Sequence, residues 1–265
     1  MEIFEYAFMR KAFYVGILLS FIIPCIGIVV ILRRLSMIGD ALSHSSLAGV
    51  AGGLILGINP VLGAIVLSVL ASLSIEFIRK KIPRYAELSI AVVMSASVGL
   101  TGVFSSFVKN AANFNSFLFG SIVAISNMEV IFVTIITLTV FIIFCLLYKE
   151  LFHIAFDEQS ARLAGIPVNA ITFIFTVLTG LTVSISSRTV GALIVSSMMV
   201  LPGACAMEFA DSYLKTVVYS VIFAVFFNIT GLFLAYYMKL RPGGTIVLVA
   251  TFTLLLIFLF KKIKK

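Results

Sequence analysis

Residues 12–32 read AFYVGILLSFIIPCIGIVVIL, an apolar run without a charged side chain, and Arg33-Arg34 follows directly. About 20 apolar residues in a helix are enough to cross the hydrocarbon core of a bilayer, so this run predicts a membrane-spanning helix. The same pattern recurs to the end of the chain. Further charge-free runs lie at 41–75, 88–108, 110–128, 130–148, 163–187, 189–207, 216–238 and 242–260.

The composition agrees with a chain that crosses a membrane several times. Of the 265 residues, 62% are hydrophobic and 11% are charged, whereas a soluble domain carries roughly 25% charged residues. These values exclude a soluble enzyme, a nucleic-acid-binding protein and a disordered chain. Because helices satisfy their own backbone hydrogen bonds in lipid, we predict an all-α, polytopic membrane protein with about eight to ten membrane helices. Residues 1–265 then form a single transmembrane domain.

The predicted spans follow the charge-free runs. They lie near 12–32, 41–57, 60–78, 88–108, 129–148, 170–186, 189–207, 215–238 and 243–260. The run 110–128 opens with three asparagines, at 110, 113 and 115, and this favours a short helix or a half-span.

The net charge of +8 comes from basic clusters in short loops and at the end of the chain, which predicts orientation in the membrane. Cytoplasmic loops carry the excess of Lys and Arg, so we expect these clusters to face the cytoplasm of a plasma membrane. With nine spans the N-terminus lies outside, and loops 33–40, 79–87 and 149–169 lie inside. The clusters are Arg33-Arg34, Arg79-Lys80-Lys81 with Arg84, Lys261-Lys262 and Lys264-Lys265.

Asp40 and His44 form one of two polar features that stand out against the apolar background. Four residues apart on a helix, their side chains project from one face. Ionisable groups in a membrane segment are costly and usually serve an ion or substrate, and carboxylate with imidazole suits Zn²⁺, Mn²⁺ or Fe²⁺. Alternatively, Asp40 is only a helix N-cap and His44 bonds to a neighbouring helix. Two residues cannot complete a metal's ligand shell, so other ligands must join them.

The second polar feature is the segment 154–169, IAFDEQSARLAGIPVN. Asp157 suits the N-cap of a short helix of two turns, Gly165 suits its C-terminal end, and Pro167 prevents its continuation. Two interpretations are open: an ordinary interfacial helix, or a helix on which a soluble motor subunit docks.

Near the end of the chain, VGALIVSSMMVLPGA at 190–204 places Pro202-Gly203 late in a span. Proline inside a helix removes a backbone hydrogen bond, so a kink or break is expected there. Such breaks shape gates in some proteins and serve only packing in others. The chain has no glycine-rich phosphate loop of the form GxxxxGK[ST], so energy for transport would have to come from an ion gradient or a partner.

Taken together and in this order, the motifs resemble the permease subunits of ABC-type zinc, manganese and iron importers, the ABC-3 metal ion transporter family. The resemblance covers about 33–250. The matching stretches are RRLSMIGDALSHSSLAGVAGG from Arg33, GINPVLGA from Gly57, NSFLFGSIVAIS from Asn115, FDEQSARLAGIP from Phe156, VGALIVSSMMVLPGACA from Val190 and PGGTIVLVA from Pro242.

This resemblance implies a type II ABC importer-like permease bundle that pairs with a second copy around a translocation path. Asp40 and His44 correspond to positions that contribute to the metal pathway inside the membrane. The segment 156–167 corresponds to the coupling helix that docks on the ATP-binding subunit, with Asp157, Glu158, Arg162 and Gly165 as docking residues.

The resemblance also implies two partners, a cytoplasmic ATP-binding subunit and an extracytoplasmic metal-binding protein. The permease itself would catalyse no reaction and hold no permanent cofactor, because the divalent metal is its cargo. Uptake should weaken in acid, since a protonated imidazole cannot bind metal. The alternatives are a gradient-driven carrier of a metal or small solute and an ABC permease for a metal chelate. A purely structural membrane scaffold is disfavoured by the Asp-His pair.

Overall fold

A computed structural model describes residues 5–82, 85–108 and 127–263, and within these ranges the regular secondary structure is helical. The helices are α1 (Ala7–Leu32), α2 (Ile38–Leu56), α3 (Pro60–Lys81), α4 (Ala86–Ser105), α5 (Asn127–Leu146), α6 (Tyr148–Phe156), α7 (Glu158–Leu163), α8 (Val168–Ser186), α9 (Ala192–Met207), α10 (Tyr213–Met238) and α11 (Pro242–Ile263), with a π-helical segment Ser187–Gly191 between α8 and α9.

Seven of the described helices, α1, α3, α4, α5, α8, α10 and α11, are long and apolar enough to cross a membrane. Helices α2 and α9 pack among them. Helix α2 is less apolar because it carries Asp40, His44 and several serines, and α9 is shorter. The all-α, multi-pass prediction is therefore confirmed. The predicted element at 110–128 falls almost wholly outside the described residues, as does the motif from Asn115.

Helix α2 lies at the centre of one half of the bundle, in contact with α3, α4, α8 and α9. Its small residues allow this close packing, as is usual for helix pairs in membranes. A β carbon at Gly49 would overlap the carbonyl group of Gly63 on α3. One at Gly39 would come within 3.0 Å of Ser196 on α9. The small side chains of α2 are thus explained by contacts on two sides.

The two ends of the bundle can be identified by the residues that meet there. At one end, Arg33 after α1 and Arg79 on α3 both form ion pairs with Glu158 on α7. We call this the α7 end. At the opposite end, Tyr6 before α1 stacks near Tyr236 of α10, with ring centroids 6.3 Å apart. As predicted, loops 33–40 and 149–169 lie at one end of the bundle and the start of α1 lies at the other.

Two local predictions are revised. A break at Pro202 is wrong, because α9 runs without interruption from Ala192 to Met207, and a kink there stays a prediction. The irregularity lies before it, at the π-helical segment Ser187–Gly191, where Gly191 has a φ of 108°. In addition, the expected loop after residue 148 contains a further helix, α6, whose Leu151 and Ile154 are buried against the bundle. Both departures depend on tertiary packing, which a pattern of hydrophobic residues does not record.

Candidate metal site and docking helix

Asp40 and His44 lie on one face of α2, as their spacing predicts. Helix α2 begins at Ile38 with Met37 in the capping position, so Asp40 belongs to the first helical turn and the N-cap interpretation of Asp40 is wrong. A carboxylate in this turn still interacts favourably with the helix dipole. Both side chains are partly exposed, although Ala41, Leu42 and Ser43 between them are buried. The pair therefore faces an open side of an otherwise packed helix.

No side-chain hydrogen bond or ion pair joins Asp40 or His44 to another residue in the described ranges. The backbone carbonyl oxygen of His44 accepts a hydrogen bond of 3.1 Å from Thr101 Oγ1 on α4. Within those same ranges, no group of three or more His, Cys, Asp or Glu side chains is arranged to hold a metal ion. Among the described residues, Asp40 and His44 are thus two neighbouring candidate ligands without a third.

Serine hydroxyls fix the helix that carries this pair. Ser45 hydrogen-bonds to Ser97 of α4, and Ser46 bonds at 2.7 Å to Ser187 at the start of the π-helical segment. All four side chains are buried. Because a buried hydroxyl without a partner is unfavourable, these bonds hold α2 in register with α4 and with the irregular connection between α8 and α9. The sequence showed the serines but not their partners.

Helix α7 has the ends that the sequence predicted. The Asp157 side chain accepts a hydrogen bond of 2.9 Å from the backbone N–H of Gln159, and Gly165 has a φ of 80° just beyond the helix. Hydrogen bonds from the Ser160 hydroxyl, and next from the backbone N–H groups of Ser160 and Gln159, lower the pKa of Asp157. The carboxylate therefore stays ionised as a cap at neutral pH.

Glu158 and Arg162 pair with each other along α7 at 2.9 Å. Glu158 also approaches Arg79 of α3 at 3.7 Å and Arg33 at 3.8 Å. Partial burial raises the pKa of Glu158, but the hydrogen bond from Arg162 and the charges of Arg79 and Arg33 outweigh it, so the pKa lies below its usual value. The carboxylate of Glu158 thus faces the bundle.

The basic residues in this cluster were predicted only as markers of orientation. Arg79 forms a two-point contact with Glu76, one turn earlier on α3, with N–O distances of 2.9 Å. Arg33 is buried, with 4% of its side chain exposed. Glu76, three residues before Arg79 in an apolar helix, was the sequence signal that a local ion pair is present. No sequence signal of this kind predicts the pair between Arg33 and Glu158, because the two residues lie 125 positions apart.

The outer surface of α7 is free. Gln159 and Arg162 are exposed, and the Leu163 side chain is 90% exposed, while Ala161 is buried against the bundle. A partner that covered this side chain would remove its apolar surface from water, which favours association. The segment thus has one face held by the bundle and one face available to another molecule.

Comparison with known proteins agrees with the fold and with the order of the motifs. The model of the ABC 3 transport family matches residues 5–261. The chain is 34% identical over 255 residues, 96% of this chain and 95% of the relative, to the probable metal transport system membrane protein of Treponema pallidum (strain Nichols). It is 32% identical over 257 residues, 97% of this chain and 91% of the relative, to the manganese transport system membrane protein MntC of Listeria monocytogenes serovar 1/2a (strain ATCC BAA-679 / EGD-e).

A solved structure described as PsaBC from Streptococcus pneumoniae in complex with Fab superimposes with a TM-score of 0.86. The match covers 97% of this chain and 92% of that chain at 28% sequence identity. Because the family model spans nearly the whole sequence and the helices superimpose along almost their full length, this chain is a multi-pass membrane protein of the ABC 3 transport family.

Proposed function

We propose that this protein is the permease subunit of an ATP-driven importer for a divalent metal, zinc, manganese or iron, in a bacterial or archaeal plasma membrane. The observation that carries the proposal is the open Asp40-His44 face, which has no side-chain partner in the described part of the chain and lies on the central helix of a transport-family fold. The relatives named for metal and manganese transport support the cargo.

A second copy of the chain would complete the site. Two copies facing each other through α2 would contribute two Asp40 carboxylates and two His44 imidazoles, a set of four that suits a divalent transition metal. Such a site would bind the ion transiently, because the ligands are partly exposed and, within the described residues, no hydrogen bond fixes their side chains. A loosely held site favours release as well as binding.

Helix α7 would dock on a cytoplasmic ATP-binding subunit. Asp157 and Gly165 would set the ends of this docking helix, the exposed Arg162 would face the partner, and Glu158 would hold the helix against the bundle. Its free outer face, with the exposed Leu163, supports this role. The excess of basic residues at the α7 end supports a cytoplasmic location. A metal-binding protein would deliver the ion at the opposite end.

Removal of the two candidate ligands tests the cargo. Cells that express the permease with its two partners are assayed separately for accumulation of zinc, manganese and iron. We expect Asp40→Ala and His44→Ala each to reduce uptake of one metal by about tenfold or more, since loss of even an outer-shell group costs that much at metal sites. Amounts of permease in the membrane should stay unchanged.

Matched controls are available within the chain. His153→Ala removes the other histidine, which is exposed on α6, and Asp211→Ala removes an exposed carboxylate paired with Lys215. Normal uptake of all three metals by both ligand variants would contradict the proposed site.

Membrane vesicles prepared from the same cells and supplied with ATP test the source of energy. Vanadate, which blocks ATP hydrolysis by the partner, should stop uptake, whereas a proton ionophore in ATP-supplied vesicles should leave it unchanged. Uptake that continues with vanadate and stops with the ionophore would favour a gradient-driven carrier. Uptake of a metal only as its chelate, unaffected by Asp40→Ala, would favour a chelate permease.

A further inference from the structure

Arg33 occupies an unusual position between the first two membrane helices. It follows α1 directly and precedes Asp40 by seven positions, so it lies close in sequence to the first turn of α2, which carries that candidate metal ligand. The guanidinium is almost fully buried, with 4% of the side chain exposed. A buried cation needs a nearby anion, because the loss of water is otherwise uncompensated.

The nearest anion belongs to α7. Glu158 Oε2 lies 3.8 Å from Arg33 Nη2, and among the described residues no other carboxylate is within ion-pair distance of Arg33. The neighbouring Arg79 is already held by Glu76 through two contacts of 2.9 Å. Glu158 therefore joins the docking helix to the connection that leads into α2.

We propose that Glu158 is a positioning residue, which transmits movement of α7 to the helix that carries Asp40 and His44 through its contact with Arg33. The inference rests on the proposed function, since it assumes that α7 docks on the partner and that α2 carries the metal. It adds a defined connection between these two sites and a role for Arg33.

The electrostatics of Arg33 explain why the contact can transmit movement. Burial, and next the charge of Arg79, lower the pKa of Arg33 to about 10, so the guanidinium stays protonated at neutral pH. If α7 moved away alone, Arg33 would lose its ion pair with Glu158 and stay buried beside Arg79, so that among the described residues the more distant Glu76 on α3 would have to offset its charge, which is unfavourable. The connection before α2 should therefore follow α7.

The same geometry separates the role of Glu158 from that of docking. Its carboxylate pairs with Arg33 and Arg79 on the bundle side and with Arg162 on α7 itself, so its charge is balanced within the permease. The exposed Gln159 and Leu163 remain to contact a partner. Loss of Glu158 should thus affect transport more than capture of the ATP-binding subunit.

The test uses the complete complex, with the ATP-binding subunit and the metal-binding protein, reconstituted in lipid vesicles. Uptake of Mn²⁺, Zn²⁺ and Fe²⁺, ATP hydrolysis and recovery of the ATP-binding subunit are measured for Glu158→Gln. We expect the metal transported per ATP hydrolysed to fall by about fivefold or more, the lower end of typical coupling between sites, while subunit recovery stays near that of the wild type. A parallel loss of uptake and recovery would instead make Glu158 a docking contact and overturn the proposal.

The matched control is Glu208→Gln. Glu208 also pairs across the fold, with Lys261 at 2.8 Å, but it follows α9 and its pair joins neither α7 nor α2. This variant should transport like the wild type. An equal loss in both variants would show that any ion pair at this end matters, which would contradict a specific connection through Glu158.

A second variant separates transmission from the cost of an unpaired charge. Arg33→Met combined with Glu158→Gln removes both charges, and replacement of a buried ion pair by apolar groups is often neutral or stabilising. The double variant should assemble normally and still transport poorly per ATP. Recovery of wild-type transport would show that the defect of Glu158→Gln came only from the isolated Arg33 cation.

These outcomes are distinct from failure of the proposed function. If the wild-type complex moves none of Mn²⁺, Zn²⁺ and Fe²⁺, the proposed function is wrong, and the role of Glu158, which rests on it, is refuted with it. If the wild type transports and Glu158→Gln matches it in metal moved per ATP, the importer function stands and the positioning role of Glu158 is refuted.

Discussion

At the scale of single residues, glycine matters in this bundle where another backbone comes close. Gly49 of α2 and Gly63 of α3 face each other, and a β carbon on either would overlap the carbonyl group of the other. Gly99 on α4 is the opposite case, because a β carbon there would meet no described atom within 4 Å. The same residue type therefore has different importance at these positions.

Substitution of both types of glycine by alanine tests this difference. Gly49→Ala should lower the thermal stability of the purified protein, because α2 and α3 must separate to admit the methyl group. Gly99→Ala should leave stability unchanged or raise it, since alanine is favoured over glycine in a helix interior by about 1 kcal/mol. The stability of both variants is measured by heating the purified protein in detergent and monitoring the loss of monodisperse protein with temperature. Equal stability of the two variants would contradict the close approach.

At the scale of elements, α7 illustrates how a short helix is held in place. Six residues are too few for a stable isolated helix, so its stability must come from its ends and its contacts. Asp157 caps the first turn, and the left-handed conformation of Gly165 ends the helix. Glu158 and the buried Ala161 attach it to the bundle.

The ends of α7 can be tested with two glycines in the same backbone conformation. Gly165 has a φ of 80° and Gly57, after α2 at the opposite end of the bundle, has a φ of 69°. An alanine in this region costs roughly 1–2 kcal/mol in either place. Gly165→Ala should reduce co-purification of the ATP-binding subunit, because it alters the end of the docking helix.

Gly57→Ala is the control for that experiment and should leave co-purification unchanged, since it applies the same strain far from α7. Wild-type recovery of the subunit with Gly165→Ala would argue that the end of α7 does not contact the partner. Equal losses in the two variants would indicate general destabilisation of the permease.

At the scale of the whole molecule, Lys and Arg are more numerous at one end of the bundle than at the other. The α7 end carries the Arg33, Arg79 and Arg162 cluster and the pair between Lys261 and Glu208. The start of α1 lies at the opposite end, near the end of α10. The positive-inside rule predicts that the α7 end faces the cytoplasm.

Labelling of introduced cysteines in intact cells tests this orientation. A membrane-impermeant maleimide should react with Lys239→Cys, after α10, and should reach Gln159→Cys on α7 only after the cells are opened. Both native residues are exposed. The unmodified protein measures background from Cys25, Cys145 and Cys205, of which only Cys145 is exposed. The reverse labelling pattern would invert the assignment.

Much of the architecture could be predicted from the sequence because it depends on local properties. Long charge-free runs determine which segments enter a bilayer, so the helices lie close to the predicted spans. Asp157 and Gly165 act through backbone atoms a few residues away, and the ends of α7 follow from them. The common face of Asp40 and His44 follows from helix periodicity alone.

Other features were decided only by the tertiary structure, because they depend on which helices become neighbours. A π-helical segment lies at Ser187–Gly191, before Pro202, and its Ser187 hydrogen-bonds to Ser46 of α2. The contact of Arg33 with Glu158 joins residues far apart in sequence, and each alone resembles an ordinary charged residue at a membrane surface. Hydropathy and spacing describe each helix separately, whereas these contacts exist only when the helices are packed together.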